Sequence, residues 1–211
     1  TPCGTLFPYT TLFRSGANNG FYRSLDGGQT FTNVASLITV SQQSWFPTIT
    51  FDPNMDRIYV GSIGPNSAIH YSDDAGATWH GLGLNNRGGS DIAVPPGDSD
   101  TIYTTWAGVR KSTDQGQTWG YASEGLAAIQ PWHLAVSPHD PDRVIATANV
   151  EGAFNTHTRG NAWLKILAYP EWEAEPHRAA TFDPVSPTVA YLGGSEGVYK
   201  TTDDGTSWAT T

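Results

Sequence analysis

The feature that most constrains this chain is a short sequence that recurs five times at intervals of 40–48 residues. Each copy begins with Ser or Thr, carries Gly at its fifth position and ends with Phe or Trp, and four copies have Asp at the third position. The copies are SLDGGQTF (24–31), SDDAGATW (72–79), STDQGQTW (112–119), THTRGNAW (156–163) and TTDDGTSW (201–208). A regular period of this length indicates a repeat architecture in which each unit packs against its neighbours.

Each repeat also contains short alternating apolar runs that predict β-strands. One run ends at a turn, a second follows it, a third leads into the recurring sequence, and a fourth leaves it. The turns are Phe51-Asp52-Pro53, Val94-Pro95-Pro96, Val136-Ser137-Pro138 and Phe182-Asp183-Pro184. Four strands in each 40–48-residue unit, with no helical pattern between them, predict an all-β fold made of β-propeller blades.

The recurring sequences resemble the Asp box, also called the bacterial neuraminidase repeat, with the pattern Ser/Thr-x-Asp-x-Gly-x-Thr-Trp/Phe. The resemblance extends from Gly16 to Thr211, and it implies a β-propeller of four-stranded antiparallel blades. The repeat occurs in sialidases, xyloglucan-cleaving glucanases, sortilin-type receptors and photosystem assembly factors. The resemblance therefore specifies the fold far more closely than the function.

Turn chemistry accounts for the residue types of the box. An Asp in a tight turn accepts hydrogen bonds from backbone N–H groups two or three residues on, and Gly permits a positive φ. The closing aromatic then covers the hairpin. We therefore expect structural roles for Asp26, Asp74, Asp114, Asp203, Trp79, Trp119, Trp163 and Trp208. We expect no metal in the boxes and no cofactor, because the boxes lack the spaced oxygen ligands of a calcium loop.

Two departures from the pattern carry expectations of their own. Thr158 replaces Asp in the fourth box, so that hairpin should be looser and Trp163 should hold it mainly by packing. Thr5–Ser15 reads TLFPYTTLFRS and resembles the in-frame translation of a widely used sequencing adapter. We expect residues 1–15 to be a non-native scar, although LFPYTTLF also has the residue types of a real β-strand.

The native part is then predicted to be an incomplete β-propeller over 16–211, with half a blade at 16–36 and blades at about 45–84, 90–123, 132–168 and 178–211. Propellers close with 4–8 blades, so we expect a fragment of a longer ring.

Strand order predicts where a ligand binds. In an antiparallel blade, the first turn and the Asp box lie at one end, and the inner turn and the connection between blades lie at the other. Binding loops are expected opposite the boxes. The ligand-binding candidates there are Trp106, Asn149, Glu151, Trp172, Glu196, Asn85 and Arg87. For Trp45 and Trp132, packing between neighbouring blades is the favoured interpretation, because large aromatic side chains are mostly buried.

The enzyme interpretation remains open at the level of sequence. Glycoside hydrolysis needs two carboxyl groups, for which Glu151 and Glu196 are candidates. The resemblance to xyloglucan-cleaving glucanases implies a catalytic Asp in an inner turn, but Asn149 stands at the matching position and an amide cannot act as a general base. The sialidase interpretation is weak, because no Arg-Ile-Pro signature is present.

The favoured function is carbohydrate binding by a secreted propeller, extracellular or periplasmic, with polysaccharide or oligosaccharide as partner. The alternatives are part of a glycoside hydrolase, or a propeller that binds a protein. The net charge of −9 disfavours nucleic acid as a partner. No run of 18 apolar residues is present, so no membrane span is expected.

Overall fold

The computed structural model describes residues 11–16, 20–38, 44–64, 66–84, 89–105, 108–126, 131–148, 152–167, 179–194 and 197–211. These residues form five antiparallel sheets, which we number I to V, and in each sheet the strands follow one another in chain order. The one helix among them is a 3₁₀ turn at Ala35–Leu37, so no helix in the described ranges has the length to cross a membrane.

The sheets have the following strands. Sheet I contains β1 (Leu12–Gly16), β2 (Gly20–Ser24) and β3 (Thr32–Asn33). Sheet II contains β4 (Trp45–Phe51), β5 (Ile58–Ile63), β6 (Ile69–Ser72) and β7 (His80–Leu82). Sheet III contains β8 (Ile92–Ala93), β9 (Ile102–Thr105), β10 (Val109–Ser112) and β11 (Gly120–Tyr121). Sheet IV contains β12 (Pro131–Val136), β13 (Val144–Ala148), β14 (Gly152–Thr156) and β15 (Leu164–Leu167). Sheet V contains β16 (Ala179–Phe182), β17 (Ala190–Gly194), β18 (Gly197–Thr201) and β19 (Ala209–Thr210).

Sheet I begins four residues before the expected start of the native part. Leu12–Gly16 pairs with β2 along its whole length, and the Phe13 ring lies 5.6 Å from that of Phe21. Strand pairing reports the strand propensity of a segment and not its origin. The foreign origin of residues 1–15 therefore stays a prediction.

The chain divides into two compact units, residues 1–92 and 93–211, and the boundary falls within β8. In the first unit, Phe21 of sheet I packs with Phe46 and Val60 of sheet II in a buried cluster. In the second unit, one core lies between sheets III and IV and another between sheets IV and V. Apolar side chains from facing sheets thus form the core within each unit.

The third box shows how the hairpins are held. The buried Ser112 hydroxyl donates to Asp114 Oδ1 over 2.7 Å and accepts the Gly116 N–H over 2.8 Å. Asp114 in turn accepts the N–H and the hydroxyl of Thr118, over 2.8 and 2.5 Å. Trp119 Nε1 donates to the Gly116 carbonyl over 2.9 Å. One hydroxyl and one carboxylate thus satisfy most polar groups of this turn.

The other Asp-containing boxes share these bonds. A Ser or Thr hydroxyl binds the Asp and the glycine N–H, and the Asp accepts from the residue four positions on. The main bonds thus come from the residue four positions on, one beyond the expected span, and the backbone N–H three residues on also favours the carboxylates of Asp26, Asp74 and Asp114. Two successive residues have positive φ, for example 57° at Gln115 and 85° at Gly116, and this tight reversal brings the fourth residue back to the carboxylate.

These hydrogen bonds favour the ionised carboxylates. The Ser207 hydroxyl, the Ser207 N–H and the Thr201 hydroxyl lower the pKa of Asp203 to about 2. Burial raises the pKa of Asp74, but hydrogen bonds from Thr78 outweigh it and leave the value at about 2. The pKa of an unfolded Asp is about 3.9, so this contribution to stability is complete above about pH 4 and is lost as the pH falls towards 2.

The fourth box keeps the hairpin with fewer bonds. Thr158 Oγ1 accepts the Ala162 N–H over 3.0 Å, but Ala162 has no hydroxyl to donate a second bond. Trp163 is only 3% exposed, and its Nε1 donates to the Ala122 carbonyl of the neighbouring sheet over 2.8 Å instead of to its own box. Trp163 thus holds the fourth hairpin by burial and by a bond between sheets III and IV.

Charged side chains also join neighbouring sheets in the second unit. The almost fully buried Arg143 donates to the Pro187 carbonyl over 2.9 Å, pairs with Asp204 at 2.5 Å and lies 4.7 Å from the Phe182 ring. The half-exposed Arg159, in the fourth box, pairs with Asp98 and Asp142. Burial between two sheets makes the Arg143 pair the more consequential of the two.

Replacing Ser112 with Ala tests the box hydroxyl. The variant leaves the buried Gly116 N–H without its acceptor, so the free energy of unfolding should fall by about 1–3 kcal/mol. Chemical denaturation measures the loss, and the exposed Thr113→Ala in the same hairpin is the control, with an expected change under about 0.5 kcal/mol. Equal losses in the two variants would show that the hydroxyl contributes nothing specific.

Replacing Trp163 with Phe tests the bond between sheets. The change removes the donor to the buried Ala122 carbonyl, so we expect a loss of about 1–3 kcal/mol in the free energy of unfolding. Trp119→Phe removes a partly exposed bond within its own box and should cost about 0.5–1.5 kcal/mol. A larger loss in Trp119→Phe, measured by thermal or chemical unfolding, would contradict this assignment.

Candidate functional site

The ends of the blades opposite the Asp boxes are defined by strand register. In sheet II, the start of β4 pairs with the end of β5, as Trp45 opposite Ile63. In sheet IV, the start of β12 pairs with the end of β13, as Pro131 opposite Ala148. The Asp boxes follow β6 and β14, at the other end of these sheets. We call the ends that carry the starts of β4 and β12 the distal ends.

All seven ligand-binding candidates from the sequence lie outside the described residues. The structure therefore gives no position for their side chains, and their roles stay predictions. They are Trp106, Asn149, Glu151, Trp172, Glu196, Asn85 and Arg87.

The described part of the distal ends carries two exposed tryptophans instead. Trp45 is 65% exposed and Trp132 is 47% exposed. The interpretation that these two side chains pack between blades is therefore wrong. Each lies at or next to the first residue of the first strand of its sheet.

A β-bulge accompanies each of these tryptophans. In sheet II the register shifts between Trp45, opposite Ile63, and Thr48, opposite Gly61, so β4 has one extra residue. In sheet IV the shift lies between Pro131 and His133, with Trp132 as the extra residue. A bulge redirects a side chain and increases local twist, which explains why these indoles face solvent.

The sequence carried a signal for these bulges. Pro47 and Pro131 lie within two residues of the two tryptophans, in WFP and PWH. Proline has no N–H for the ladder, so inside a sheet it favours bulges, edges and strand starts. An aromatic beside such a proline is a candidate for redirection, which the burial statistics of tryptophan alone do not capture.

Hydrogen bonds join the described residues on either side of the inner turn beside Trp45. The buried Ser62 hydroxyl accepts the Ala68 N–H over 2.9 Å and donates to the Ala68 carbonyl over 3.0 Å. The Ser67 N–H donates to the Gly64 carbonyl over 3.1 Å. Trp45 is thus exposed next to a turn that side-chain and backbone hydrogen bonds hold closed.

The Asp91 carboxylate lies immediately before β8, the first strand of sheet III. Asp91 Oδ1 accepts the Thr48 hydroxyl and the Ile92 N–H, both over 2.9 Å. Among the described residues, no group of three or more His, Cys, Asp and Glu side chains could hold a metal ion. The described part of sheet II therefore carries an exposed indole at its distal end, that of Trp45, and hydrogen-bonded polar side chains, those of Ser62 and Thr48.

Comparison with known proteins supports the architecture. A family model described as BNR/Asp-box repeat matches residues 70–80, which contain the second box. No curated protein matches the sequence.

Solved structures resemble this chain over most of its length. An ancestral GH74 enzyme gives a TM-score of 0.67 at 21% identity, covering 79% of this chain and 24% of its own. The GH74 enzyme of Niastella koreensis gives 0.74 at 21% identity, covering 95% of this chain and 36% of its own. A nidogen/laminin complex gives 0.66 at 13% identity, covering 90% of this chain and 72% of the matched one.

The chain thus spans about a quarter and about a third of the two GH74 enzymes. Identities of 13–21% establish a shared fold. Together with the sheets and the boxes, these matches show that the chain is part of a β-propeller built from antiparallel Asp-box blades.

Proposed function

We propose that this propeller segment binds carbohydrate, a polysaccharide or an oligosaccharide, at the distal ends of its blades. The observation that supports the proposal is the pair of exposed tryptophans that β-bulges turn to solvent, Trp45 and Trp132. An indole offers a flat apolar face at a low cost in conformational entropy, and the C–H face of a pyranose ring stacks on such a surface.

Charge narrows the class of carbohydrate. The chain carries a net charge of −9, which repels polyanions at low and moderate ionic strength. Neutral polysaccharides pay no such penalty. Hydroxyl groups of a neutral sugar would pair with amides and carboxylates, the role proposed for Asn149, Glu151, Asn85 and Glu196. Trp106 and Trp172 would add stacking surfaces and Arg87 a further donor.

The second candidate function is part of a glycoside hydrolase, favoured by the GH74 enzymes among the similar structures. Glu151 and Glu196 are the proposed carboxyl groups. They would need a separation of about 5–5.5 Å for retention or about 6.5–9.5 Å for inversion of the anomeric centre. Asn149 would help to orient the substrate, since an amide does not accept a proton at neutral pH.

Location follows from the same proposal. Many polysaccharides lie outside the cytoplasm, so we propose an extracellular or periplasmic protein.

Replacing Trp45 or Trp132 with Ala tests the binding proposal. A panel of neutral polysaccharides that includes xyloglucan is screened by affinity electrophoresis, and the best ligand is titrated calorimetrically. Each variant should weaken binding about tenfold or more, because it removes a stacking surface worth roughly 1.4 kcal/mol or more. Tyr121→Ala removes an exposed aromatic from the outer strand of sheet III and serves as the control.

Unchanged affinity in both tryptophan variants would contradict the proposed site. Binding of a protein but of no polysaccharide in the panel would favour a propeller that binds proteins. The similarity to a structure from a nidogen/laminin complex supports that alternative. Release of reducing sugar that disappears in Glu151→Gln or Glu196→Gln would favour the hydrolase. Activity retained in both variants would remove these two residues from catalysis.

A further inference from the structure

The β-bulge beside Trp45 solves a packing conflict in β4. Phe46 belongs to the buried cluster around Phe21 of sheet I, and Ile49 packs against the same cluster. Side chains three residues apart point to opposite faces of a regular strand. The extra residue between Trp45 and Thr48 removes this conflict, so Phe46 and Ile49 reach one cluster. Packing against sheet I therefore requires the bulge that turns Trp45 to solvent.

Residues 89–92 are hydrogen-bonded to the other face of β4. The Thr48 hydroxyl donates to Asp91 Oδ1 over 2.9 Å, and the Thr50 hydroxyl donates to the Ile92 carbonyl over 2.8 Å. Both threonines alternate with Ile49 and so face away from its cluster. Thr48 is only 8% exposed, so its bond to the carboxylate is largely shielded from water.

Gly61 allows residues 89–92 to lie directly against the sheet. Gly61 pairs with Thr48, and a Cβ at Gly61 would lie 2.5 Å from the Gly89 carbonyl oxygen and 2.8 Å from Thr48 Cγ2. Non-bonded carbon atoms prefer a separation of about 3.5–4.0 Å. Any larger residue in place of Gly61 would therefore displace Gly89 or Thr48.

Trp45 lies on the same face of sheet II as this contact. Residues paired across antiparallel strands have their side chains on one face, and residues two apart in a strand share that face. Trp45 pairs with Ile63, and Thr48 pairs with Gly61. Trp45 is therefore two positions of β5 beyond the contact with Gly89, towards the distal end.

We propose that Thr48, Asp91 and Gly61 are positioning residues for a carbohydrate that stacks on Trp45, an inference that rests on the proposed function. They fasten residues 89–92 to β4 and so hold the bulge in one register. The indole then points in one direction before the ligand arrives. A side chain that is already ordered loses less conformational entropy on binding, which raises the affinity. The three residues act through Trp45, and none of them is assigned a contact with the ligand.

Fluorine NMR of the complete chain labelled with fluorotryptophan tests the positioning without a ligand. The chain has eight tryptophans, and the signal of Trp45 is the one that Trp45→Phe removes. In Thr48→Val and Gly61→Ala this signal should shift or broaden, because the bulge loses its contact with residues 89–92. The Trp132 signal should stay in place in every variant, which shows that the chain remains folded.

Two conservative variants in sheet II are the controls for this measurement. Thr48→Ser retains the hydroxyl that donates to Asp91. Gly81→Ala adds a methyl group whose nearest contacts, both with the His70 ring, would be 3.8 and 3.9 Å away. Both controls should leave the Trp45 signal unchanged.

Calorimetric titration with the best polysaccharide of the panel connects the positioning to binding. Thr48→Val, Gly61→Ala and Asp91→Ala should each weaken binding about three- to tenfold, because the indole then has to be ordered when the ligand binds. Asp91→Asn retains the Oδ1 acceptor, so it should restore both the affinity and the Trp45 signal.

The outcomes separate this inference from the proposed function. An unchanged Trp45 signal in both Thr48→Val and Gly61→Ala would overturn the inference, even if Trp45→Ala weakens binding. A shifted signal with unchanged affinity in Trp45→Ala would support the positioning of the indole and contradict the proposed function. If Trp45→Ala weakens binding but Thr48→Val shifts the signal without weakening it, the assigned role in binding is overturned.

Discussion

The structure depends on the hydrogen bonds that a box hydroxyl and a box carboxylate make with their own hairpin. In the third box, Ser112 and Asp114 satisfy the turn between β10 and β11 without help from any neighbouring sheet. A reversal with two left-handed residues is costly for most side chains, and these bonds offset that cost locally. Each blade whose box contains Asp therefore carries its own closure, and such a box can recur with little dependence on the rest of the repeat.

Because a box with Asp closes its own hairpin, the contacts between neighbouring sheets can differ from one pair of sheets to the next. Trp163 belongs to the box that lacks Asp, and it bonds to the Ala122 carbonyl of sheet III rather than to its own glycine. Arg143 is buried between sheets IV and V, where it reaches Pro187 and Asp204. Where one box is weakened, packing and bonds between sheets take over part of its role. The exposed indoles of Trp45 and Trp132 lie at the opposite, distal ends, so the proposed recognition surfaces and the closing boxes use different ends of the blade.

Sequence reasoning predicted the fold because the box and the strands repeat. The four-strand period and the positive φ of the box glycines are local properties, and the structure has both. It did not predict that the Asp bonds to the residue four positions on, because that depends on a second left-handed residue such as Ala75. It also predicted that Trp45 and Trp132 pack between neighbouring blades, because a β-bulge changes the direction of a side chain without changing its type. All seven ligand-binding candidates that the sequence suggested lie outside the described residues.

The most direct test of this account is amide hydrogen exchange of the box residues, followed by NMR. If each hairpin is closed by its own side chains, the N–H groups of Gly116 and Thr118 will exchange at least about a hundredfold more slowly than in an unstructured chain. In Ser112→Ala, the protection of Gly116 will be lost while that of the β9 amides remains. Exchange of Gly116 and Thr118 at unprotected rates in the original chain would contradict the account.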